Sequence, residues 1–207
     1  MHPLTHAGAN MPHTTERICT PMTNRINEAF LFALAAHGGQ TRKDGLSYII
    51  HPFEVGMELA RNGAGEALIC AGLLHDTVED AGVTPAVLTA SFGSEIAQLV
   101  LEDSEDKFKS WEERKEAAIR SLYTGSRAHQ MLMCADKLSN LRSIRDALEA
   151  EGDIVWSRFN RSRDQQAWLF RETVQALSAL EGLAMYTELK ALTDCIFTDQ
   201  TEEAACI

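Results

Sequence analysis

Apolar residues recur at helical spacing over most of this chain, and the strict alternation of a half-buried strand is absent over any useful length. Ile26, Ala29, Phe30, Ala33 and Leu34 mark a first helix starting near Asn24, which Gly38-Gly39 ends. Residues 40–48 read as a polar loop. His51-Pro52 opens a second helix, because proline is tolerated where the amide has no helical acceptor, and Asn62-Gly63 closes it. A third helix is predicted over about 65–80. Thr84-Pro85 starts a short one, and Ser94 caps another that turns Ile96, Leu99 and Val100 inward. Ser110-Trp111-Glu112-Glu113 is a capping box for a helix to about Tyr123. The longest helix is predicted over about 128–150, with Leu132, Ala135, Leu138, Leu141 and Ile144 on its apolar face. Two more follow, over about 162–180 and 183–197. Short loops between so many helices predict an all-α helical bundle in a single domain spanning 24–197. Residues 1–23 read as a flexible leader and 198–207 as a loose tail.

The third helix interrupts its own pattern. Leu73-Leu74-His75-Asp76-Thr77-Val78-Glu79-Asp80 sets a histidine and three carboxylates within six residues of an otherwise apolar run. On a continuous helix His75 lies over Glu79 and Asp76 over Asp80, so all four share one face. An imidazole beside a carboxylate can bind a metal, and two carboxylates one turn away can handle protons. The plain alternative is a solvated helix end before Gly82, which the helix dipole disfavours for negative charge. Asp136 lies in another apolar run, between Ala135 and Lys137. A buried carboxylate needs a partner. Lys137 is expected to point about 100° away on the helix and not to serve. A metal shared by His51, His75, Asp76 and Asp136 would serve, and that donor set suits manganese, iron or zinc.

Composition changes the picture in three respects. Hydrophobic content of 45% and charged content of 24% are ordinary for a globular protein. A net charge of −11 repels phosphate backbones, so nucleic acid is excluded as the expected partner, although a small phosphorylated ligand is not. The five cysteines are scattered, which argues against a disulfide framework. Cys70 and Cys134 read as small core hydrophobes, and a reducing cytoplasm fits. No run of about 18 apolar residues exists, so no membrane partner is expected. The leader lacks the basic start and apolar core of a signal peptide. Met11 and Met22 leave open a later natural start.

The order His51, His75-Asp76, Asp136 resembles the signature of the HD superfamily of metal-dependent phosphohydrolases. Three local blocks carry the likeness further. His37-Gly38-Gly39-Gln40-Thr41-Arg42-Lys43-Asp44-Gly45, followed by Tyr48-Ile49-Ile50-His51-Pro52, looks like the opening of the hydrolase domain of RelA/SpoT-type alarmone enzymes. His75 to Asp80 is similar to their His-Asp-x-x-Glu-Asp motif. Phe92-Gly93 and residues 135–142 match later blocks. The resemblance covers roughly residues 25–145. With no room for a synthetase domain, the chain looks like the small stand-alone enzymes that remove pyrophosphate from guanosine tetra- or pentaphosphate with manganese.

That resemblance implies roles. His51, His75, Asp76 and Asp136 hold the metal; Glu79 and Asp80 position or deprotonate the attacking water. Arg42 and Lys43 bind the phosphates or base, and Tyr48 and Asn140 contact the nucleoside. Beyond Val100 the likeness thins into an acidic stretch, where Lys107, Lys109, Arg114 and Lys115 are candidates to turn inward. Trp156, Phe159 and Trp168 read as core or interface residues. Two other functions stay open: hydrolysis of another nucleotide, such as NADPH or a nucleoside phosphate, and an inactive helical module that senses a nucleotide. Homodimerisation through the C-terminal helices is a further open alternative.

Overall fold

The computed structural model describes residues 25–43, 45–102 and 108–198. The leader, Asp44, the acidic stretch with Lys107 and the tail from residue 199 lie outside the described residues. The helices are α1 (Arg25–Ala36), α2 (Ile50–Arg61), α3 (Glu66–Leu74), α4 (Thr77–Ala81), α5 (Pro85–Leu101), α6 (Trp111–Thr124), α7 (Arg127–Glu151), α8 (Arg163–Ala176) and α9 (Ala184–Phe197). Short 3₁₀ turns, Gly152–Arg158 and Ser178–Leu180, follow α7 and α8. Among the described residues the extended pairing is one isolated bridge, Thr41 to Ser47. The all-α expectation holds.

Capping chemistry sets several boundaries where the sequence puts them. Ser110 accepts from the Glu113 amide while Glu113 accepts from the Ser110 amide, and Ser162 and Gln165 repeat the box at α8. Thr84 caps α5 ahead of Pro85. The break expected before Ser94 is a kink inside α5, where Gly93 takes φ 82°, a left-handed value that glycine adopts without strain.

α3 lies against α1, α2, α5 and α7, which is why it is apolar on every side. Its approach to α2 depends on glycine: a Cβ on Gly72 would come within 2.6 Å of Leu59 Cδ1, and one on Gly56 within 3.0 Å of Leu73. That close packing brings the start of α2 beside the end of α3, so His51 and His75 meet. α7 supplies the third wall, with Leu132, Ala135, Leu138, Leu141 and Ile144 all buried as expected. On α1, Ala29 and Ala33 are buried, whereas Leu34 is exposed.

Arg142 ties α7 to its neighbours. Its guanidinium grips Glu188 of α9 with two nitrogens and donates to Glu58 of α2 at 2.9 Å. Glu58 is buried, and Arg61 approaches it only to 3.8 Å. Arg142→Met removes the main counter-charge of a buried carboxylate. Discounted for the partial exposure of Arg142, the loss is expected to be about 2 kcal/mol in a denaturant melt. An unchanged midpoint would show that the network contributes nothing.

Cys70 and Cys134 are free and buried, and burial pushes their thiols up to about 11 and about 12. They are unreactive packing groups, as expected.

Candidate metal centre and its cleft

The acidic helix predicted over 65–80 is two helices, and the break falls at His75-Asp76. The side chains make the break. His75 Nδ1 donates to the Gly72 carbonyl at 2.8 Å, and Thr77 Oγ1 donates to the Leu74 carbonyl at 2.6 Å. These bonds engage carbonyls that α3 would otherwise offer to its own amides. The α4 turn then starts on a new direction, with the Asp80 amide donating to the Asp76 carbonyl. The four polar groups therefore do not form one stripe. His75 and Asp76 turn inward, Glu79 is half-buried, and Asp80 is exposed.

His51 from α2, His75 and Asp76 from the break, and Asp136 from α7 converge. The His51 and His75 Nε2 atoms are 3.2 Å apart. Asp136 Oδ1 lies 3.1 Å from the first and 3.7 Å from the second. Asp76 Oδ2 lies 3.5 Å and 3.1 Å from them. Donors about 2.1 Å from one cation are roughly 3.0–3.4 Å from each other in octahedral or tetrahedral arrangements. Three of the five spacings fall in that range, and the other two, at 3.5 and 3.7 Å, lie just beyond it.

Hydrogen bonding behind the rings settles what they present. The Gly72 carbonyl can only accept, so in a neutral ring the His75 proton is on Nδ1 and a lone pair is on Nε2. His51 Nδ1 bonds to Ser139 Oγ at 2.9 Å, and because that hydroxyl gives its own proton to Glu54 Oε2 at 2.6 Å, the ring donates from Nδ1 and Nε2 is bare. Two lone pairs and two carboxylate oxygens thus face one point with no donor among them, so the site demands a positive charge. The same demand appears in the titration. Burial works against a charged His75, yet the carboxylates of Asp76 and Asp136 raise its pKa well above the ordinary value. Burial likewise opposes ionisation of Asp136, and the Lys137 ammonium and the imidazoles outweigh it. Buried His51, His75 and Asp136 form a cluster of the kind that holds a divalent metal.

Lys137 corrects an expectation. It reaches Asp136 Oδ2 at 2.6 Å, although it is the next residue on α7. A four-carbon stem spans the angle that separates adjacent helix positions. Asn140, expected at the nucleoside, donates to Asp136 Oδ1 at 2.8 Å and also lines the cleft. Tyr48 donates to Asp76 Oδ2 at 2.6 Å and lies 3.2 Å from Asp80 Oδ2. Burial and then the Asp76 charge push its phenol pKa up, so it stays a donor. Gln40 accepts from His37 Nδ1 and donates to the Asp80 carbonyl, fastening the 40–48 loop to α4.

The cleft has two chambers. One, of about 180 Å³, is bordered by His51, Asp76, Glu79 and Asp136. The other, of about 330 Å³, is bordered by Trp111, Phe159 and Phe170 together with Arg42, Lys43, Lys115, Lys137 and Arg158. Tyr48, His51, Lys115, Lys137, Asn140 and Leu169 border both, so the chambers adjoin. In a chain of net charge −11, five cations around one chamber are a local inversion of the field. Of the lysines beyond Val100, Lys115 turns inward. Phe159, read as a core or interface residue, packs against the core and also forms a chamber wall, with Lys43 Nζ 3.7 Å above its ring. Trp156 and Trp168 do pack against the core, and Trp111 meets Trp168 edge-on. Neither the Phe159 wall nor the Arg158 contribution has a sequence signal, because they lie at the end of a 3₁₀ turn that periodicity does not reveal.

Comparison with known proteins agrees with this geometry. The HD domain family model matches residues 29–167. A guanosine-3′,5′-bis(diphosphate) 3′-pyrophosphohydrolase MESH1 of Xenopus tropicalis is 33% identical over 84% of this chain and 94% of its own length. A crystal structure from Listeria monocytogenes EGD-e superposes with a TM-score of 0.69 at 40% identity, covering 72% of this chain and 99% of that one. A metazoan ortholog of SpoT, described as hydrolyzing ppGpp, gives a TM-score of 0.69 at 27% identity, over 81% and 93%. The chain spans only 11% and 25% of the first two curated relatives it matches, which are much longer. With the family model covering most of the chain and a whole-length relative beside it, the chain belongs to the HD domain family.

Proposed function

We propose that this chain is a metal-dependent guanosine 3′,5′-bis(diphosphate) 3′-pyrophosphohydrolase, carried by one domain over residues 24–197. The observation that supports it best is the junction of the two chambers. A centre built for a divalent cation opens directly onto a chamber with aromatic walls and five cations. A guanine nucleotide with two pyrophosphate groups has the matching parts: a flat ring, and many negative charges at a distance from it.

In this reading His51, His75, Asp76 and Asp136 hold the ion. Their mixed nitrogen and oxygen set favours Mn2+, with Fe2+ and Zn2+ as competitors. A bound ion supplies Lewis acidity toward a phosphoryl oxygen and acidifies a coordinated water. Glu79, at the edge of the smaller chamber, takes the proton of the attacking water. Tyr48 holds the Asp76 and Asp80 carboxylates in place. Arg42, Lys43 and Lys115 offset the phosphate charge, and Asn140 serves both Asp136 and the nucleoside. In this reading the enzyme works in the cytoplasm. Among the described residues no helix is long and apolar enough to cross a membrane.

The test is product identification. Protein loaded with Mn2+ is incubated with guanosine tetraphosphate and a nucleotide panel. Pyrophosphate release from the tetraphosphate, stopped by a chelator and restored by Mn2+, is the expected result. Orthophosphate from another nucleotide, with the tetraphosphate untouched, would instead select the general nucleotide phosphohydrolase. Tight binding without turnover would select the sensing module. Lys115→Met is expected to raise KM about tenfold, because a charge-assisted contact is worth about 1.5 kcal/mol. Substrate titrations at two salt concentrations check it; an unchanged KM removes Lys115 from phosphate binding.

A further inference from the structure

The two imidazoles at the centre present equivalent lone pairs but are supported from behind by unlike partners. His75 leans on a backbone carbonyl of its own helix, a fixed neutral acceptor. His51 leans on Ser139 Oγ at 2.9 Å, and Ser139 Oγ lies 2.6 Å from Glu54 Oε2. A hydroxyl owns one proton and a carboxylate can only accept. Ser139 therefore gives its proton to Glu54 and accepts the one on His51 Nδ1. The chain of donors runs in one direction, from the ring through the hydroxyl to the carboxylate.

Two helices supply both ends of this arrangement. Glu54 follows His51 by three positions on α2, and Ser139 follows Asp136 by three on α7. Each helix thus carries one ligand and, on the same face, one support for the α2 ligand. Ser139 is 98% buried, so no bulk water replaces its hydroxyl, whereas Glu54 is half-buried at the edge.

We propose that Glu54 and Ser139 are a positioning pair that sets the tautomer and donor strength of His51 as a metal ligand. The inference rests on the metal-centre reading above, and is independent of which nucleotide is hydrolysed. Without the hydroxyl, a neutral His51 divides between tautomers, and one of them points an N–H at the centre. Without the carboxylate, the hydroxyl is held less firmly to accept from the ring, although an amide oxygen in its place still takes the hydroxyl proton. Outer partners of metal-bound histidines act in this way and commonly change metal affinity 10–100-fold.

The test is calorimetric titration of metal-free full-length protein with Mn2+, beside thermal melts of the same metal-free samples. Ser139→Ala is expected to weaken Mn2+ binding about 10–100-fold. Glu54→Gln, at a half-buried edge that tolerates an isosteric amide, is expected to weaken it by a smaller factor. Ser139→Thr, which keeps the hydroxyl, is expected to restore affinity. A merely structural role would lower the melting temperature and leave the affinity alone. Wild-type affinity in Ser139→Ala and Glu54→Gln overturns the pair, as does a threonine variant no better than alanine. A wild-type protein that binds no divalent ion overturns the centre itself and the pair with it, a result distinct from either.

Discussion

Asp136→Ala is expected to strip the protein of its divalent ion and to lower turnover at least about a thousandfold. Asp136 is where the centre closes. Its Oδ1 lies within reach of both imidazole Nε2 atoms and accepts from Asn140, while its Oδ2 holds Lys137. Removing the carboxylate leaves two lone pairs and Asp76 to hold a dication, with the Lys137 ammonium now unopposed beside them. A metal ion contributes several kcal/mol to phosphoryl transfer, and about 4 kcal/mol corresponds to about three powers of ten. Metal content after dialysis, read by mass spectrometry, and initial rates at saturating Mn2+ check the two halves. Retained metal at wild-type stoichiometry would show that Asp136 is not a ligand. Lost metal with full activity would sink the metal-dependent mechanism.

The fold was largely legible in the sequence because its signals are local. Ser110 with Glu113, Thr84 with Pro85, and the five-residue face of α7 each state their structure within a few positions. The centre was legible through its motif order and the resemblance it carries. What escaped was set by side chains acting across helices or on backbone. The break at His75-Asp76 depends on Nδ1 and Oγ1 taking carbonyls from α3, which helical spacing alone does not register. Lys137 reaches back along its own helix to Asp136, against the angular argument, because stem length outweighs starting direction. The Glu54–Ser139 support joins residues 85 positions apart, and Phe159 reaches the cleft from a 3₁₀ turn. Tyr48 and Asn140 were expected at a nucleoside, yet they bond the Asp76 and Asp136 carboxylates.

Glu79 and Asp80, which the motif pairs, sit side by side on α4 but differ in surroundings, Glu79 half-buried and Asp80 exposed, and Glu79→Gln tests that difference. Glu79 borders the chamber that holds His51, Asp76 and Asp136. Asp80 is exposed; its carboxylate meets the Tyr48 phenol, its backbone carbonyl accepts from Gln40, and its amide donates to the Asp76 carbonyl. In the proposed mechanism Glu79 is therefore the group beside the reacting water, and Asp80 acts through Tyr48. Glutamine keeps the shape of Glu79 and one acceptor oxygen but does not take a proton. Loss of a general base costs about 10²–10⁴ in rate. Glu79→Gln is therefore expected to lower kcat by that factor with metal content unchanged and KM close to the wild-type value. Asp80→Asn, which weakens one hydrogen bond to a positioned phenol, is expected to cost about tenfold or less. Steady-state kinetics on both variants, with metal content measured on the same samples, distinguish the roles. Equal losses would return Asp80 to the proton-handling pair, and an unchanged kcat in Glu79→Gln would remove Glu79 from the chemistry.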